Sequence, residues 1–380
     1  MRCMAEYIYQ KKEWPHFKWD NGKIIDLLGE VRNMQGRILG RMESLGFELK
    51  REAFLDTVTL EVLKSSEIEG EMLSQEQVRS SVARHLGIKI VDAVESERNV
   101  DGIVDMMIDA VENYPLPLTK QRLFAWHSSL FPAGRSRLSR IIVGAWRKDI
   151  KGPMLVVSGA IGKETIHFQT PAASMVEREM GRFIKWFNSE DYCDQIIKSA
   201  VAHLWFITIH PFADGNGRIA RALADMLLAR SDKTNLRFYS MSARIRAERK
   251  EYYRILEKTQ KGDLDVTEWL LWYLNCLLNA LGSTESVLAR VLNKAEFWRN
   301  NSDKILNERQ RYMLNLMLEG FAGKLTTSKW AKINKCSSDS ALRDIQDLIG
   351  KGLLKKDEIA GGRSTNYILK LQDEFHLPPY

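Results

Sequence analysis

The stretch "HPFADGNGRIAR", residues 210–221, decides how the rest of this chain is read. It gathers an imidazole, a carboxylate, two glycines around an asparagine, and two arginines. A buried helix has no use for that mixture. The preceding "VAHLWFITI", 201–209, reads as a buried helix, so His210 stands at its end, where a side chain can leave the core and face a cleft. A neutral imidazole there can accept a proton from an incoming hydroxyl. Asp214 supplies the hard oxygen that a magnesium ion prefers. Gly215 and Gly217 let a ligand approach the backbone closely. "GNGR" then opens a helix whose first N–H groups are unpaired and lie at the positive end of its dipole, an anion site suited to a pyrophosphate. Asn216 can add a side-chain donor. Arg218 and Arg221 project from the first turn and can neutralise phosphates. Phe212 and Ile219 read as inward anchors. Singly, each feature has an ordinary reading: a structural histidine, a turn, solvated arginines. Together they point to a metal-assisted diphosphate site beside a general base, the equipment for nucleotidyl or phosphoryl transfer to a hydroxyl.

The bulk composition is compatible with that chemistry. A chain of 380 residues allows two or three domains, each with its own core. Hydrophobic content of 44% and charged content of 28% suit a soluble globular protein. The net charge of +7 hints at a polyanion partner only if it is localised. The cysteines (Cys3, Cys193, Cys276, Cys336) lie far apart, without a CxxC pair, and read as reduced thiols, with neither a disulfide framework nor a zinc site. The first twenty residues lack the apolar run of a signal peptide, and no run of 18 apolar residues suggests a membrane span. A cytoplasmic protein with no membrane association is expected.

Working outward, residues 1–20 read as an aromatic arm (Trp14, Phe17, Trp19 around Pro15) pinned onto a domain surface. Residues 22–86 have helical periodicity, with a break near Gly70 and an N-cap at Ser74. Residues 98–135 resume it. Between Ile141 and Thr170, β-branched runs bounded by glycine and proline predict a β-hairpin. Helices are expected over 173–188, 192–209 and 217–231, two more within 248–282, and a polar connecting helix before a distinct C-terminal unit.

The 210–221 stretch resembles the signature of the Fic (filamentation induced by cAMP) family, H-P-F-x-D-G-N-G-R-x-x-R, at every defined position, with Ala213, Ile219 and Ala220 at the free ones. The resemblance spans roughly 100–260: "VGAWR" (143–147) is similar to the family's G-x-Y-R element, 151–169 would be its flap, and "EYYRIL" (251–256), with Tyr252 and Tyr253, its tyrosine pair near the adenine pocket. Most members transfer AMP from ATP to a Ser, Thr or Tyr hydroxyl of a target protein. Some relatives transfer UMP, phosphate or phosphocholine instead. The resemblance implies His210 as the base, Asp214 as the ligand of Mg²⁺ (or Mn²⁺), and 215–221 as the nucleotide cradle, with Ile219 and Ala220 inside it. The flap would align the target by strand addition. Upstream, "SSEIEG" (65–70) fits the family's inhibitory pattern [S/T]-x-x-x-E-[G/N] through Ser65, Glu69 and Gly70.

Residues 301–370 contain 13 Lys/Arg against 8 Asp/Glu, so +5 of the net charge of +7 lies there. Three helices, the first capped by Asn307 and the third by Ser337 or Ser338, then a hairpin with a Gly-Gly turn, read as a winged helix. Lys355, Lys356 and Arg363 suit phosphate contacts, while Asp339, Asp344 and Asp347 on the third helix oppose DNA. Duplex DNA and a protein are both candidate partners of that unit. The expected fold is mainly α: a Fic-type helical core with a β-hairpin flap (96–283), an N-terminal helical region with the inhibitory motif (1–95), a connecting helix (284–300) and a winged-helix domain (301–380). The expected function is AMPylation of target proteins, the chain itself included, with ATP as co-substrate and Glu69 as inhibitor. Removal of AMP from modified proteins, a nucleotide-sensing DNA-binding regulator, and a homodimer are left open.

Overall fold

The structure is a computed structural model that describes residues 7–43, 46–90, 93–136, 139–149, 152–158, 165–190, 193–318, 321, 324–357 and 365–370. Cys3, the flap tip at 159–164, the Gly361–Gly362 turn, Arg363 and residues 371–380 lie outside the described residues. Two compact units are present, Met1–Thr284 and Glu285–Tyr380.

The first unit begins with a short 3-10 turn at Ile8–Gln10. Helices α1 (Asn21–Glu43), α2 (Phe47–Ile68), α3 (Gln75–His85), α4 (Arg98–Glu112) and α5 (Lys120–Leu130) follow. Two small hairpins come next, β1 (Arg135–Ser136) with β2 (Ser139–Arg140), and β3 (Leu155–Ser158) with β4 (Thr165–Gln169). The chain then forms α6 (Ala173–Phe187), α7 (Gln195–Ile209), α8 (Asn216–Asp232), α9 (Met241–Ala247), α10 (Arg249–Gln260) and α11 (Thr267–Asn300). The fold is mainly α, as the periodicity indicates.

Its centre is the pair α7 and α8. Every residue from Ile196 to Ile209 is buried, because "IIKSAVAHLWFITI" is apolar around most of its circumference and its Lys198, Ser199, His203 and Thr208 side chains find hydrogen-bond partners. The Asp194 side chain caps its start by accepting the Ile196 N–H at 2.7 Å. α8 packs along α7, and α2 packs on α3, α4, α8 and α9. That packing carries the end of α2 to the start of α8. Ser74 caps α3 as its sequence position indicates.

The aromatic arm is pinned down. Trp14 is buried and its Nε1–H donates to Glu179 Oε2 at 3.0 Å. Tyr7 and Tyr9 meet the Phe168 ring of β4 edge-on, with centroids 5.0 and 5.9 Å apart. Residues 284–300, expected as a separate connecting helix, continue α11 without a break. Gly282 lowers helix propensity but does not end the helix; Ser283 and Thr284 donate their hydroxyls back to Asn279 O and Ala280 O, which satisfies them within the helix.

The second unit contains α12 (Glu308–Leu318), α13 (Thr327–Ile333), α14 (Ser338–Gly350) and the antiparallel pair β5 (Leu354–Lys356) and β6 (Tyr367–Leu369). Leu325 bridges Tyr367 as a third strand would. Asn307 and Gln310 cap α12 reciprocally, each side-chain oxygen accepting the other's backbone N–H at 2.9 and 3.0 Å. Trp330, Met313, Leu314, Ile345 and Leu348 are fully buried at its centre.

Candidate active site

α7 stops at His210, whose backbone is left-handed (φ 53, ψ 58). A non-glycine residue there is uncommon and is held by its surroundings. Phe212 supplies part of the hold. It is fully buried, stacks on His127 with centroids 4.2 Å apart, and meets Trp146 at 5.0 Å. The turn aims the His210 ring out of the helix. Its Nδ1 lies 3.1 Å from Ile207 O. A carbonyl can only accept, so Nδ1 carries the proton and Nε2 keeps a lone pair. Burial, with the Arg147 guanidinium adding to it, pushes the imidazole down to about 4, against the opposing pull of Ile207 O, Glu69 and Asp214. At neutral pH the ring is therefore an uncharged proton acceptor.

Asp214 follows on the exposed side of the loop. Oδ1 accepts the Gly215 N–H at 2.6 Å, and Oδ2 accepts the Ser136 hydroxyl. Among the described residues no group of three or more His, Cys, Asp or Glu could hold a metal ion. A lone carboxylate nevertheless fits magnesium, which is commonly held through one or two carboxylates and substrate phosphates while keeping several waters.

Gly215 is the N-cap of α8 with φ 78, and a Cβ there would stand 2.9 Å from the Phe131 ring. Asn216 closes the loop: its Oδ1 accepts the Phe212 N–H and its Nδ2 donates to Phe212 O, both at 2.9 Å. Its side chain is thus used internally, and what it offers a ligand is its backbone N–H at the helix start. Ile219 and Ala220 are fully buried, and the Ile219 N–H is bonded to Gly215 O at 3.0 Å. These two pack the helix and present no free polar group.

The arginines are buried, Arg218 at 6% exposure and Arg221 at 2%. Burying a guanidinium requires partners. Arg221 finds them at the end of α2: Nε donates to Ser65 Oγ and Nη2 to Ser65 O, both at 2.8 Å, and Nη2 pairs with Glu69 Oε1 at 2.9 Å. Gly70, at φ 81, then turns the chain back. Arg218 pairs with Glu71 Oε2 at 2.8 Å. Yet Arg221 Nη1 and Arg218 Nε are buried with no hydrogen-bond partner. Two such cationic donors beside a helix start can be completed by an anion. Glu69 reaches into that space: a Cβ at Gly217 would stand 2.1 Å from Glu69 Oε1.

The tyrosines separate. Tyr252 is buried behind the arginine, its hydroxyl 2.9 Å from His203 Nε2. Tyr253 is partly exposed, stacks under Arg249, and donates to Ile68 O at 3.4 Å. The structure thus brings His210, Asp214, the start of α8, Ser65, Glu69 and Tyr253 around one site, and places Tyr252 one layer back. Glu71, Ser136 and His203 join it without having been singled out in the sequence. Glu71 had a signal, an acidic residue two places past Glu69. Ser136 and His203 had none, since only the packing of distant segments brings them there.

Residues 117–228 match the Fic/DOC family, and residues 7–88 match a domain of unknown function, DUF4172. The chain is 23% identical to a probable protein adenylyltransferase of Aquifex aeolicus (strain VF5), over 59% of its own length and 62% of that protein's. It is 33% identical to protein adenylyltransferase fic-1 of Caenorhabditis briggsae, over 26% of its own length and 18% of that protein's. It therefore spans less than two thirds of either relative. A Fic family protein from Desulfovibrio desulfuricans G20 shares the fold, with a TM-score of 0.54 and 19% identity over 94% of this chain and 98% of that one. No helix among the described residues is long and apolar enough to cross a membrane.

Proposed function

We propose that this chain, which belongs to the Fic family, is a protein adenylyltransferase that moves AMP from ATP to a hydroxyl of a protein target, itself included. The observation that carries this is the pairing of a neutral imidazole, Nε2 free, with a helix start whose two arginines keep unpartnered buried donors. In the step, the target hydroxyl oxygen bonds to the α-phosphorus. The bond from that phosphorus to the α–β bridging oxygen breaks, and pyrophosphate leaves. The hydroxyl proton passes to His210 Nε2. The Asn216, Gly217 and Arg218 N–H groups and the Arg221 guanidinium hold the phosphates against leaving-group charge. Asp214 is the residue that would hold magnesium, and that ion would lower the charge repelling the incoming oxygen. The exposed stripe Leu155, Val157 and Ile166 on the β3–β4 hairpin offers an edge for an extended target segment.

Glu69 holds the activity low. It pairs with the arginine that the γ-phosphate needs and crowds the helix start at Gly217. Incubation of the protein and its Glu69→Gly variant with labelled ATP, CTP, GTP and UTP, followed by mass spectrometry of the products, tests the reading. Addition of AMP to protein supports it. Release of AMP from a modified protein, with none added, would move the assignment to the reverse reaction.

A second reading concerns the Glu285–Tyr380 unit. Of the three aspartates that would oppose a polyanion, Asp344 and Asp347 are occupied, while Asp339 at the start of α14 stays exposed. Asp344 is buried against Arg309 (2.7 Å) and Asn307 (2.8 Å), and Asp347 accepts from Gln310 Nε2 (2.7 Å) and pairs with Lys351. Arg343 of α14 and Lys355 and Lys356 of β5 are left exposed. Binding of duplex DNA through residues 301–370 follows, with an affinity that falls steeply as salt rises. A titration of the full chain that shows no binding at low salt assigns this unit to protein contacts instead.

A further inference from the structure

Arg147 lies in "VGAWR", outside the 210–221 stretch, and is 4% exposed. All three nitrogens of its guanidinium are in use. Nε donates to His210 O at 2.8 Å, Nη1 to Asp149 Oδ1 at 2.6 Å, and Nη2 to Pro171 O. Its backbone N–H donates to Pro211 O at 2.9 Å. Asp149 in turn accepts the Ala173 N–H at 2.6 Å, where α6 begins.

The two carbonyls belong to different parts of the site. His210 is the left-handed residue that ends α7 and carries the base. Pro171 follows the β3–β4 hairpin, whose root is closed by Thr170: its N–H and hydroxyl donate to Met154 O at 3.1 and 3.2 Å. Tyr9 of the arm adds a hydroxyl donated to Thr170 O at 3.4 Å. One buried cation therefore ties the turn that aims the imidazole to the root of the hairpin.

We propose that Arg147 is a positioning residue that sets the His210 imidazole and the root of the hairpin in one register, so that a hydroxyl presented along the hairpin arrives at Nε2. The inference rests on the adenylyl-transfer reading and adds the residue that aligns its two halves. The need for arginine is geometric. A planar fork can reach three acceptors in fixed directions, whereas a lysine keeps the charge but has one terminal nitrogen on a flexible stem. Phe168 and the His167–Glu257 pair fasten the hairpin to the arm and to α10, whereas the Arg147 bonds join its root to the turn at His210. Misplacement of reacting groups by about an ångström costs on the order of a hundredfold in rate. The same charge also disfavours the protonated imidazole, although the register argument stands on the hydrogen bonds alone.

The test uses the full chain in the Glu69→Gly background. Arg147→Lys should lower kcat on the order of a hundredfold and raise KM for the target, while the Kd for ATP stays at the parent value. Hydrogen exchange gives a readout independent of activity: the amides of His210 and Thr170 should exchange faster together, with those of α8 unchanged. Asp149→Asn, which leaves Arg147 in place but weakens one of its bonds, should give a smaller change of the same pattern and serves if Arg147→Lys does not fold. A kcat at the parent level overturns the inference. So does faster exchange at only one of the two amides, or a loss of ATP affinity in step with kcat, which would mark a merely structural arginine. If the Glu69→Gly parent transfers no AMP, the activity reading fails on its own, and the exchange pattern still decides whether Arg147 couples the two segments.

Discussion

The two sides of the site are built differently. On one side, α7 and α8 are buried almost throughout, and the loop between them is locked by Phe212 and by both ends of the Asn216 amide. On the other, residues 65–71 are anchored by the buried Ile68 and touch the two arginines through polar bonds: Ser65 and Glu69 on Arg221, Glu71 on Arg218. Apolar packing is non-directional and hard to undo locally. Charged contacts are directional, and a competing anion can replace them. On the proposed reading, the contrast places the chemistry on tightly packed helices and the control on a contact whose partners a nucleotide phosphate could substitute.

The difference can be broken or sharpened from either side. The largest effect belongs to the rigid side. His210→Ala should reduce AMP transfer by roughly 10²–10⁴-fold, the usual worth of a positioned general base, with ATP binding retained. Calorimetric titration with ATP beside a labelling assay checks this, and comparable labelling by the alanine variant would remove the base from the mechanism. On the displaceable side, Glu69→Gly should raise auto-modification on the order of a hundredfold, through the rate of transfer more than through ATP affinity. Glu69→Asp should release it only in part, and Glu69→Gly combined with His210→Ala should be silent. Equal labelling of wild type and Glu69→Gly would end the inhibitory assignment.

Glu71→Ala probes the weaker of the two carboxylate contacts. Its side chain is 36% exposed in the pair with Arg218, and such half-exposed pairs are worth roughly 0.2–1 kcal/mol. A gain of a few-fold in labelling is expected, visible as a small increment on top of Glu69→Gly. A gain as large as that of Glu69→Gly would make Glu71 the main inhibitor.

A separate expectation concerns stability against pH. Burial pushes His127, His203 and His210 down to about 4, about 3 and about 4, against roughly 6.5 in an unfolded chain. As pH falls below that value, the unfolded chain takes up these protons before the folded one does. The stability they contribute is therefore fully present above about 6.5 and is lost on the way down, through about 4 for His127 and His210 and about 3 for His203. Tm measured without ligand should decline across that window. A flat profile between pH 7 and 4.5 would mean that these rings find partners when protonated.

The legibility of the molecule follows the range of the interactions. Helices with strong periodicity and local caps, such as those begun by Ser74, Asn307 and Ser337, are fixed by neighbours a few residues away and can be read from the chain. The α11 boundary was not legible, because a glycine at 282 only weakens a helix and the neighbouring hydroxyls are satisfied within it. The same holds within the site. The order of His210, Asp214 and the glycine turn is local chemistry and is written in twelve residues. Asn216 turning its amide inward, Tyr252 sitting behind Arg221, and Ser136 meeting Asp214 depend on packing between segments far apart in sequence.

By itself, then, the sequence determined the helical class and marked out the proposed base, the helix start proposed to take an anion and the proposed inhibitory carboxylate, because each is specified by residues within one or two turns. Only the tertiary structure decided which carboxylate meets which arginine, which donors stay unpartnered, and that Arg147 spans the base and the hairpin. Those facts are distances between residues as much as 156 positions apart, and no local pattern encodes the packing that closes them.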